Sequence, residues 1–279
     1  MTTNEQPAIL VGIDGSDASR NALIWASKLA ARTGARIDTI GAWQLSSSYM
    51  MPIVGAPLPP TTLFEEAAEQ RLALAIEMAD LDEAPGQSIV CGHAGAVIVE
   101  RSSKYDLVVL GRTGRGRLER MLVGSTARHV ARHAHCPVAL TDTAELAEHI
   151  TVAVDGSANS IGALRWAGSL GDDISINAVL AHDERILEDL PMSHELRTDL
   201  DQRAEATLTS AVDDSGVAVD RVTIEVREGD PRRMIIDTAT TDDLLVLGGF
   251  GHSLLAGMVG SLAGYAIEHA PTQLVVWRD

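Results

Sequence analysis

The residues best suited to chemistry lie between Asp106 and Thr126, where an apolar run leads into a loop of glycines and arginines. Leu107 to Leu110 is short and apolar, which predicts a buried parallel strand. Ser125-Thr126 is a good N-cap pair for a helix that runs to His133. The loop between them holds Gly111, Gly114, Gly116, Gly124, Arg112, Arg115, Arg117 and Arg120. Bare N–H groups, a helix N-terminus and guanidinium groups all favour an anion, so we predict a phosphate site here.

Composition narrows the classes of protein that need consideration. The 279 residues are enough for two domains. A formal net charge of −17 argues against a nucleic-acid or anionic-membrane surface. The N-terminus has no basic signal region and no apolar run is long enough to span a membrane, so we expect a cytoplasmic protein. Cys91 and Cys136 lack CxxC spacing and are interpreted as small buried residues in a reducing compartment.

The chain repeats itself after about 140 residues. The turn Asp14-Gly15-Ser16 follows the apolar run Ala8 to Ile13, and Asp155-Gly156-Ser157 stands in the same context 155 − 14 = 141 positions later. The strand that begins at Asp106 recurs at Asp243, 243 − 106 = 137 positions later. Such ordered identity indicates an internal duplication rather than a small-unit solenoid. We predict an N-terminal domain over 1–142, a C-terminal domain over 149–279, and a short polar linker between them.

Each half alternates short strands with helices in the pattern β-α-β-α-β-α-β-α-β, which predicts an α/β fold with a parallel sheet. In the first half the predicted strands are 8–13, 36–43, 87–91, 107–110 and 137–140, and the predicted helices include 61–82 and 94–103. The polar, proline-containing stretch 46–60 is interpreted as a surface loop. Ligands of such sheets bind at the carboxyl ends of the strands, where both Asp14 and Gly111 fall.

Familiar phosphate motifs are missing, since the chain contains no GxxxxGK[ST] and no GxGxxG after its first strand. Instead, Gly111-x2-Gly114-x9-Gly124-Ser125 stands together with Asp14. This spacing resembles the G-2x-G-9x-G-S/T signature of the universal stress protein family in its tandem two-domain form. The Val-Gly-Ile-Asp-Gly-Ser opening and Cys136-Pro137-Val138 before the fifth strand agree with the same family.

The resemblance implies two tandem doubly wound five-stranded parallel sheets in strand order 3-2-1-4-5, with helices on both faces. It implies a binder of adenine nucleotide, usually ATP, either alone or with Mg²⁺. Asp14 would face the ribose or the adenine edge, Ala42 would touch adenine, and the glycine loop would surround ribose and phosphates. The predicted contacts of the first half are Asp14, Gly15, Ser16, Ala42, Gly111, Arg112, Gly114, Arg115, Gly116, Gly124, Ser125 and Thr126.

The second half departs from that signature. Gly248-x2-Gly251 is followed by only eight residues before Gly260-Ser261, and its loop contains no arginine or lysine. We therefore expect the second site to be the weaker one. Its predicted contacts are Asp155, Gly156, Ser157, Ala181, Gly248, Gly251, Gly260 and Ser261.

No constellation for strong catalysis is evident, because the first loop places no histidine or lysine near the phosphates. The main hypothesis is a regulatory stress-response protein that hydrolyses ATP slowly or not at all. The alternatives are a phosphohydrolase or nucleotidyl transferase, and an interaction module that has lost its nucleotide. His129 and His133 have metal-pair spacing, but neighbouring arginines favour exposed surface histidines, so no metal site is predicted. Trp25 and Trp166 are expected in the core or at a domain contact.

The family's dimers commonly pair through the fifth strand. Strands 137–140 and 273–277 are therefore expected to pair within this chain as a pseudo-dimer, which is in turn a candidate for homodimer formation.

Overall fold

The computed structural model describes residues 6–44, 60–114, 123–183, 194–240, 242–249, 260–270 and 273–278. The chain divides into two compact units, Met1–His135 with Leu140–Glu145 and Cys136–Ala139 with Leu146–Asp279. Both have the same alternation of strands and helices, which confirms the predicted α/β class.

In its described residues the first half has the strands β1 Ala8–Ile13, β2 Arg36–Trp43, β3 Gly86–Cys91, β4 Leu107–Gly111 and β5 Val138–Thr141. Their order is β3-β2-β1-β4-β5. β1 pairs in parallel with β2 and β4, and β2 pairs in parallel with β3. All six residues of β1 are buried, as a central strand covered on both faces requires.

The helices that connect these strands, within the part of the chain that the structure describes, are α1 Asp17–Thr33, α2 Thr61–Ala79, α3 Ala94–Ser102 and α4 Ser125–His133. α1 begins where the Ser16 hydroxyl accepts the Ser19 N–H, and it ends at Gly34 in the left-handed conformation. α2 ends three residues before the predicted end at Asp82, because Asp80 adopts φ +48° and terminates it.

The second half repeats the scheme with β6 His149–Ala153, α5 Ala158–Ser169, β7 Ser175–His182, α6 His194–Ser215, β8 Val222–Glu228, α7 Pro231–Thr238, β9 Leu244–Gly248, α8 Ser261–His269 and β10 Gln273–Trp277. A short 3₁₀ helix, Val219–Arg221, precedes β8. The strand order is β8-β7-β6-β9-β10. No helix in the described ranges combines the length and apolar character needed to cross a bilayer.

Several sequence-based expectations about single residues meet different outcomes. Trp25 is fully buried in the first half, whereas Trp166 is half-buried and packs against Trp277 with ring centroids 5.7 Å apart. The prediction that both cysteines are buried is wrong for Cys91, which is exposed at the end of edge strand β3. Positions 46–59 of the predicted surface loop lie outside the described residues.

Tyr105, between α3 and β4, gives the first half a pH-dependent contribution to stability. Its hydroxyl donates to Asp38 Oδ2 at 3.1 Å, and burial followed by the bond to Asp38 raises the pKa of the phenol above its usual value near 10. Above pH 10 the unfolded chain loses this proton first, so the stabilisation is complete below pH 10 and is lost as the pH rises through the folded-state pKa. We expect Tyr105→Phe to flatten the alkaline fall in unfolding free energy, measured by urea denaturation from pH 8 to 11. An unchanged slope in the variant would contradict this assignment.

Candidate functional site

A cavity of about 350 Å³ opens at the carboxyl ends of β1, β2 and β4, the edge predicted for ligand binding. The starts of α3 and α4 complete its walls among the described residues. Seven predicted contacts line it: Asp14, Ala42, Gly111, Gly114, Gly124, Ser125 and Thr126. Gly15, Ser16 and Arg112 are not in the lining, and Arg115 and Gly116 lie outside the described residues.

Asp14 is held in place by its own turn. Its Oδ1 accepts hydrogen bonds from the backbone N–H of Ser16 at 2.9 Å and from the Ser16 hydroxyl at 2.6 Å. Its Oδ2 faces the glycine loop, because a Cβ added to Gly114 would lie 3.1 Å from that atom. Ser16 therefore acts as a support for Asp14 and as the cap of α1, rather than as a wall of the cavity.

The N-terminus of α4 points into the same cavity. Its N-cap is Gly124, with φ −70° and ψ 152°, so the prediction of a Ser125-Thr126 cap is wrong and Ser125 is the first helical residue. The first backbone bond of the helix runs from the Arg128 N–H to the Gly124 oxygen at 3.0 Å. The N–H groups of residues 125–127 have no partner within the helix, and a glycine cap has no side chain to supply one. All three residues line the cavity, so their N–H groups and the helix dipole favour an anion there.

Arg112 closes the glycine loop with its backbone, although the sequence predicted it as a ligand contact. Its backbone N–H donates to the Thr141 oxygen at 3.2 Å, and its oxygen accepts the Gly124 N–H at 2.6 Å. These two bonds close the base of the glycine loop and anchor it on β5. Arg112 is only 5% exposed as a residue and is not part of the cavity lining.

The apolar wall of the cavity was missed by sequence reasoning. Ile40 on β2, Ile98 on α3 and Val123 before α4 all line it. Hydrophobic periodicity places such residues inside the protein but does not distinguish a cavity wall from a filled core. Their positions near the predicted carboxyl edge were the one available signal.

A second cavity, of about 360 Å³, occupies the equivalent place in the second half. Five predicted residues line it: Asp155, Ala181, Gly248, Gly260 and Ser261. Gly156 and Ser157 are not in its lining, and Gly251 lies outside the described residues. Its loop is closed as in the first half, with the Gly260 N–H bonded to the Gly249 oxygen at 2.9 Å and the Gly249 N–H to the Trp277 oxygen at 2.7 Å.

His129 and His133 lie exposed on α4, as expected, with stacked rings whose centroids are 4.5 Å apart. Partial desolvation against its neighbours lowers the pKa of the otherwise exposed His129, and the nearby His133 and His93 lower it further. Within the ranges that the structure describes, no group of three or more histidine, cysteine, aspartate or glutamate side chains is arranged to hold a metal ion.

The comparisons with known proteins agree with this architecture. The model of the universal stress protein family matches residues 7–142 and again residues 147–278. Because the two matches cover nearly the whole chain, the protein belongs to the universal stress protein family, and the resemblance drawn from the glycine spacing is confirmed.

Two universal stress proteins of Mycobacterium tuberculosis are similar to this chain over almost their full lengths. One is 28% identical over 298 residues and the other 27% identical over 297 residues, in each case covering 99% of this chain and 98% of the relative. The crystal structure of a universal stress protein from Archaeoglobus fulgidus matches with a TM-score of 0.65 at 17% identity, over 98% of this chain and 99% of that one. At that identity the likeness concerns the fold.

Proposed function

We propose that the cavity of the first half binds an adenine nucleotide, ATP with or without Mg²⁺, and that the protein is a nucleotide-responsive regulator of the stress response in the cytoplasm. The observation that carries this proposal is the glycine-capped N-terminus of α4, which faces the same cavity as Asp14 and Ala42. One small space thus combines an anion-binding helix terminus, a carboxylate and an apolar wall.

Each part of an adenine nucleotide has a suitable counterpart in this cavity. The base would lie against Ala42 and Ile40, and Asp14 is suited to accept hydrogen bonds from ribose hydroxyls. The phosphates would accept hydrogen bonds from the N–H groups at the start of α4, and the loop sequence would contribute arginine charge. Magnesium would be held mainly by phosphate oxygens and water, as is usual for this ion. Gly114 supports the fit, because any side chain there would approach the Asp14 carboxylate.

The cavity favours binding over turnover. Asp14 is the one ionisable side chain among the described residues that line it, and its Oδ1 already holds the Ser16 turn. A carboxylate with that structural task is a poor general base for activating water. We therefore infer a regulator with slow hydrolysis at most, rather than a dedicated enzyme. Homodimer formation belongs to the same proposal on the strength of the family resemblance, and sedimentation of the full chain tests it.

Isothermal titration of nucleotide-stripped protein with ATP and magnesium tests the binding proposal. We expect one ATP site per chain, weakened about tenfold or more by Asp14→Ala, which removes a hydrogen-bonding carboxylate. Gly114→Ala is expected to act in the same direction by crowding Asp14 Oδ2. Asp17→Ala is the matched control, because it removes an equally charged carboxylate that is 87% exposed and lies outside the cavity.

The contrary outcomes have separate meanings. An Asp17→Ala effect as large as that of Asp14→Ala would indicate a general charge effect instead of a site. Two equal ATP sites per chain would show that the second half is not the weaker one. No binding at millimolar ATP would overturn the proposal.

A further inference from the structure

The two cavities share their framework at matching positions. Ala42 and Ile40 at the end of β2 correspond to Ala181 and Val179 at the end of β7. The same holds for the serine inside the first turn of α1 and that of α5, Ser19 and Ser160, and for the aspartate, Asp14 and Asp155. The second cavity therefore keeps the parts that suit a base and a ribose.

The N-terminus of the last helix differs in the region suited to phosphate. The second residue of α4 is Thr126, and the second residue of α8 is Leu262, and both line their cavities. Leucine removes a hydroxyl that can donate to a phosphate oxygen and replaces it with a bulky apolar group. α8 retains first-turn N–H groups behind its Gly260 cap, so the difference at this terminus is the lost hydroxyl and the added apolar side chain.

On the other wall of the cavities, α3 in the first half and α7 in the second differ even more strongly in the N–H groups of their first turns. α3 starts at Ala94 with no side-chain cap from His93, and its first backbone bond comes from the Val97 N–H. The N–H groups of residues 94–96 thus have no partner within α3, and the first of these residues, Ala94, lines the first cavity. These groups give the first cavity a second helix terminus that favours an anion.

At the matching place α7 starts with Pro231, which lines the second cavity and has no N–H. The next two N–H groups are already bonded, that of Arg232 to Asp230 Oδ1 at 3.1 Å and that of Arg233 to the Asp230 oxygen at 3.0 Å. The Arg232 guanidinium is itself bound to the Asp230 carboxylate, at 3.1 and 3.0 Å. The start of α7 therefore lacks one N–H and has the next two bonded to its own cap, whereas the first three N–H groups of α3 have no partner within the helix.

The charge of the two loops changes in the same direction. Residues 115–122 contain three arginines, whereas residues 250–259 contain neither arginine nor lysine. The described linings of both cavities lack lysine and arginine, so the difference in positive charge lies in these two loop sequences. A phosphate of one to two negative charges has no loop cation in the second half to offset its loss of hydration. A neutral ligand meets no such penalty.

We propose that the cavity of the second half binds an unphosphorylated purine nucleoside and discriminates against its phosphorylated forms. The base lies against Ala181 and Val179, and Asp155 and Ser261 are the groups for the ribose hydroxyls. This proposal rests on the proposed function in one respect, because the positions of the base and the ribose are taken from the first cavity. The chain then senses two ligands, a nucleotide in the first half and its dephosphorylated nucleoside in the second.

Matched blocking variants of the full chain test the proposal. Ala42→Phe and Ala181→Phe place the same ring at the same half-exposed position of each cavity. Thermal unfolding of both variants checks that they fold. In Ala42→Phe we expect titration to show one adenosine site per chain, with AMP and ATP at least about tenfold weaker, the scale of one charge-assisted hydrogen bond. That adenosine site is expected to disappear when Ala181→Phe is added.

A second variant tests the discrimination directly. In the Ala42→Phe background, Leu262→Thr restores the hydroxyl found in the first half and is expected to raise AMP affinity several-fold while adenosine affinity stays within about twofold. Equal affinity of Ala42→Phe for adenosine and AMP, or adenosine binding that survives Ala181→Phe, would overturn the inference. Ala42→Phe binding neither ligand, while the wild type binds ATP, would overturn it and leave the proposed function intact. Wild-type protein that binds adenosine in the second cavity but no ATP would refute only the proposed function.

Discussion

Alanine in place of Gly111 is expected to lower the unfolding free energy of the first half by about 1–3 kcal/mol and to weaken ATP binding at least about tenfold. A Cβ at Gly111 would lie 2.8 Å from the carbonyl carbon of Ala18 and 2.9 Å from both the Ala18 Cβ and the Ser19 nitrogen. These atoms belong to the backbone and first turn of α1, so no side-chain rotation relieves the contact. β4 and α1 must move apart, and this displaces the turn that holds Asp14.

Gly248→Ala is the matched control for this prediction. It lies at the same place in β9, but its Cβ would meet Asn159 Cβ at 3.2 Å and the Ser160 nitrogen at 3.5 Å, which small shifts accommodate. We expect a change in unfolding free energy below about 1 kcal/mol and unchanged ATP binding in the first half. Urea denaturation and ATP titration measure both quantities. Equal destabilisation by the two variants would show that the close approach of β4 to α1 does not determine the outcome.

Trp25→Ala is expected to destabilise the first half by about 3–5 kcal/mol, the largest stability effect that we predict. Trp25 is fully buried on α1, so truncation leaves a cavity enclosed by the helix and the sheet. Its repeat equivalent is Trp166, which is half-buried and packs against Trp277. Trp166→Ala is expected to cost about 1–2 kcal/mol, because solvent reaches the vacated space and part of the surface was already hydrated.

Circular dichroism during urea denaturation measures both tryptophan variants without depending on indole fluorescence. The expected result is an early transition of the first half in Trp25→Ala and a near-normal profile in Trp166→Ala. Similar losses of unfolding free energy in the two variants would contradict this prediction. They would show that the difference in exposure between Trp25 and Trp166 does not determine the cost of truncation.

The strands and the edge of the sheet at which the site lies could be predicted, because the sequence signals for them are local and occur in both halves. Leu107 to Leu110 is too short and too uniformly apolar for a surface element, and Asp14 follows an equally apolar strand. Once both strands are parallel, their carboxyl ends lie at one edge, so Asp14 and Gly114 had to come together. The structure brings them to the same cavity.

The remaining features depend on non-local contacts that sequence patterns do not encode. Gly124, Ser125 and Thr126 are all acceptable N-caps, and only the bond from Gly124 to Arg112 selects the glycine. An arginine in a loop is expected in solvent, and the burial of Arg112 follows from how its backbone is anchored on β5. The cap of α7 by Asp230 is the exception, because aspartate before proline is a strong local signal for a helix start and could have been predicted.

The hydrogen bond that closes each glycine loop has a consequence for how such a protein diverges after duplication. Eleven residues separate Arg112 from Gly124, and ten separate Gly249 from Gly260, yet both loops have the same closing bond. Changing a closed loop by one residue alters its closure entropy by only on the order of 0.1 kcal/mol. Mutation can therefore change the length and charge of the loop while the sheet beneath it keeps its stability. Selection on ligand choice can then act in the loop at little cost in folding stability, whereas Gly111 serves both folding and binding.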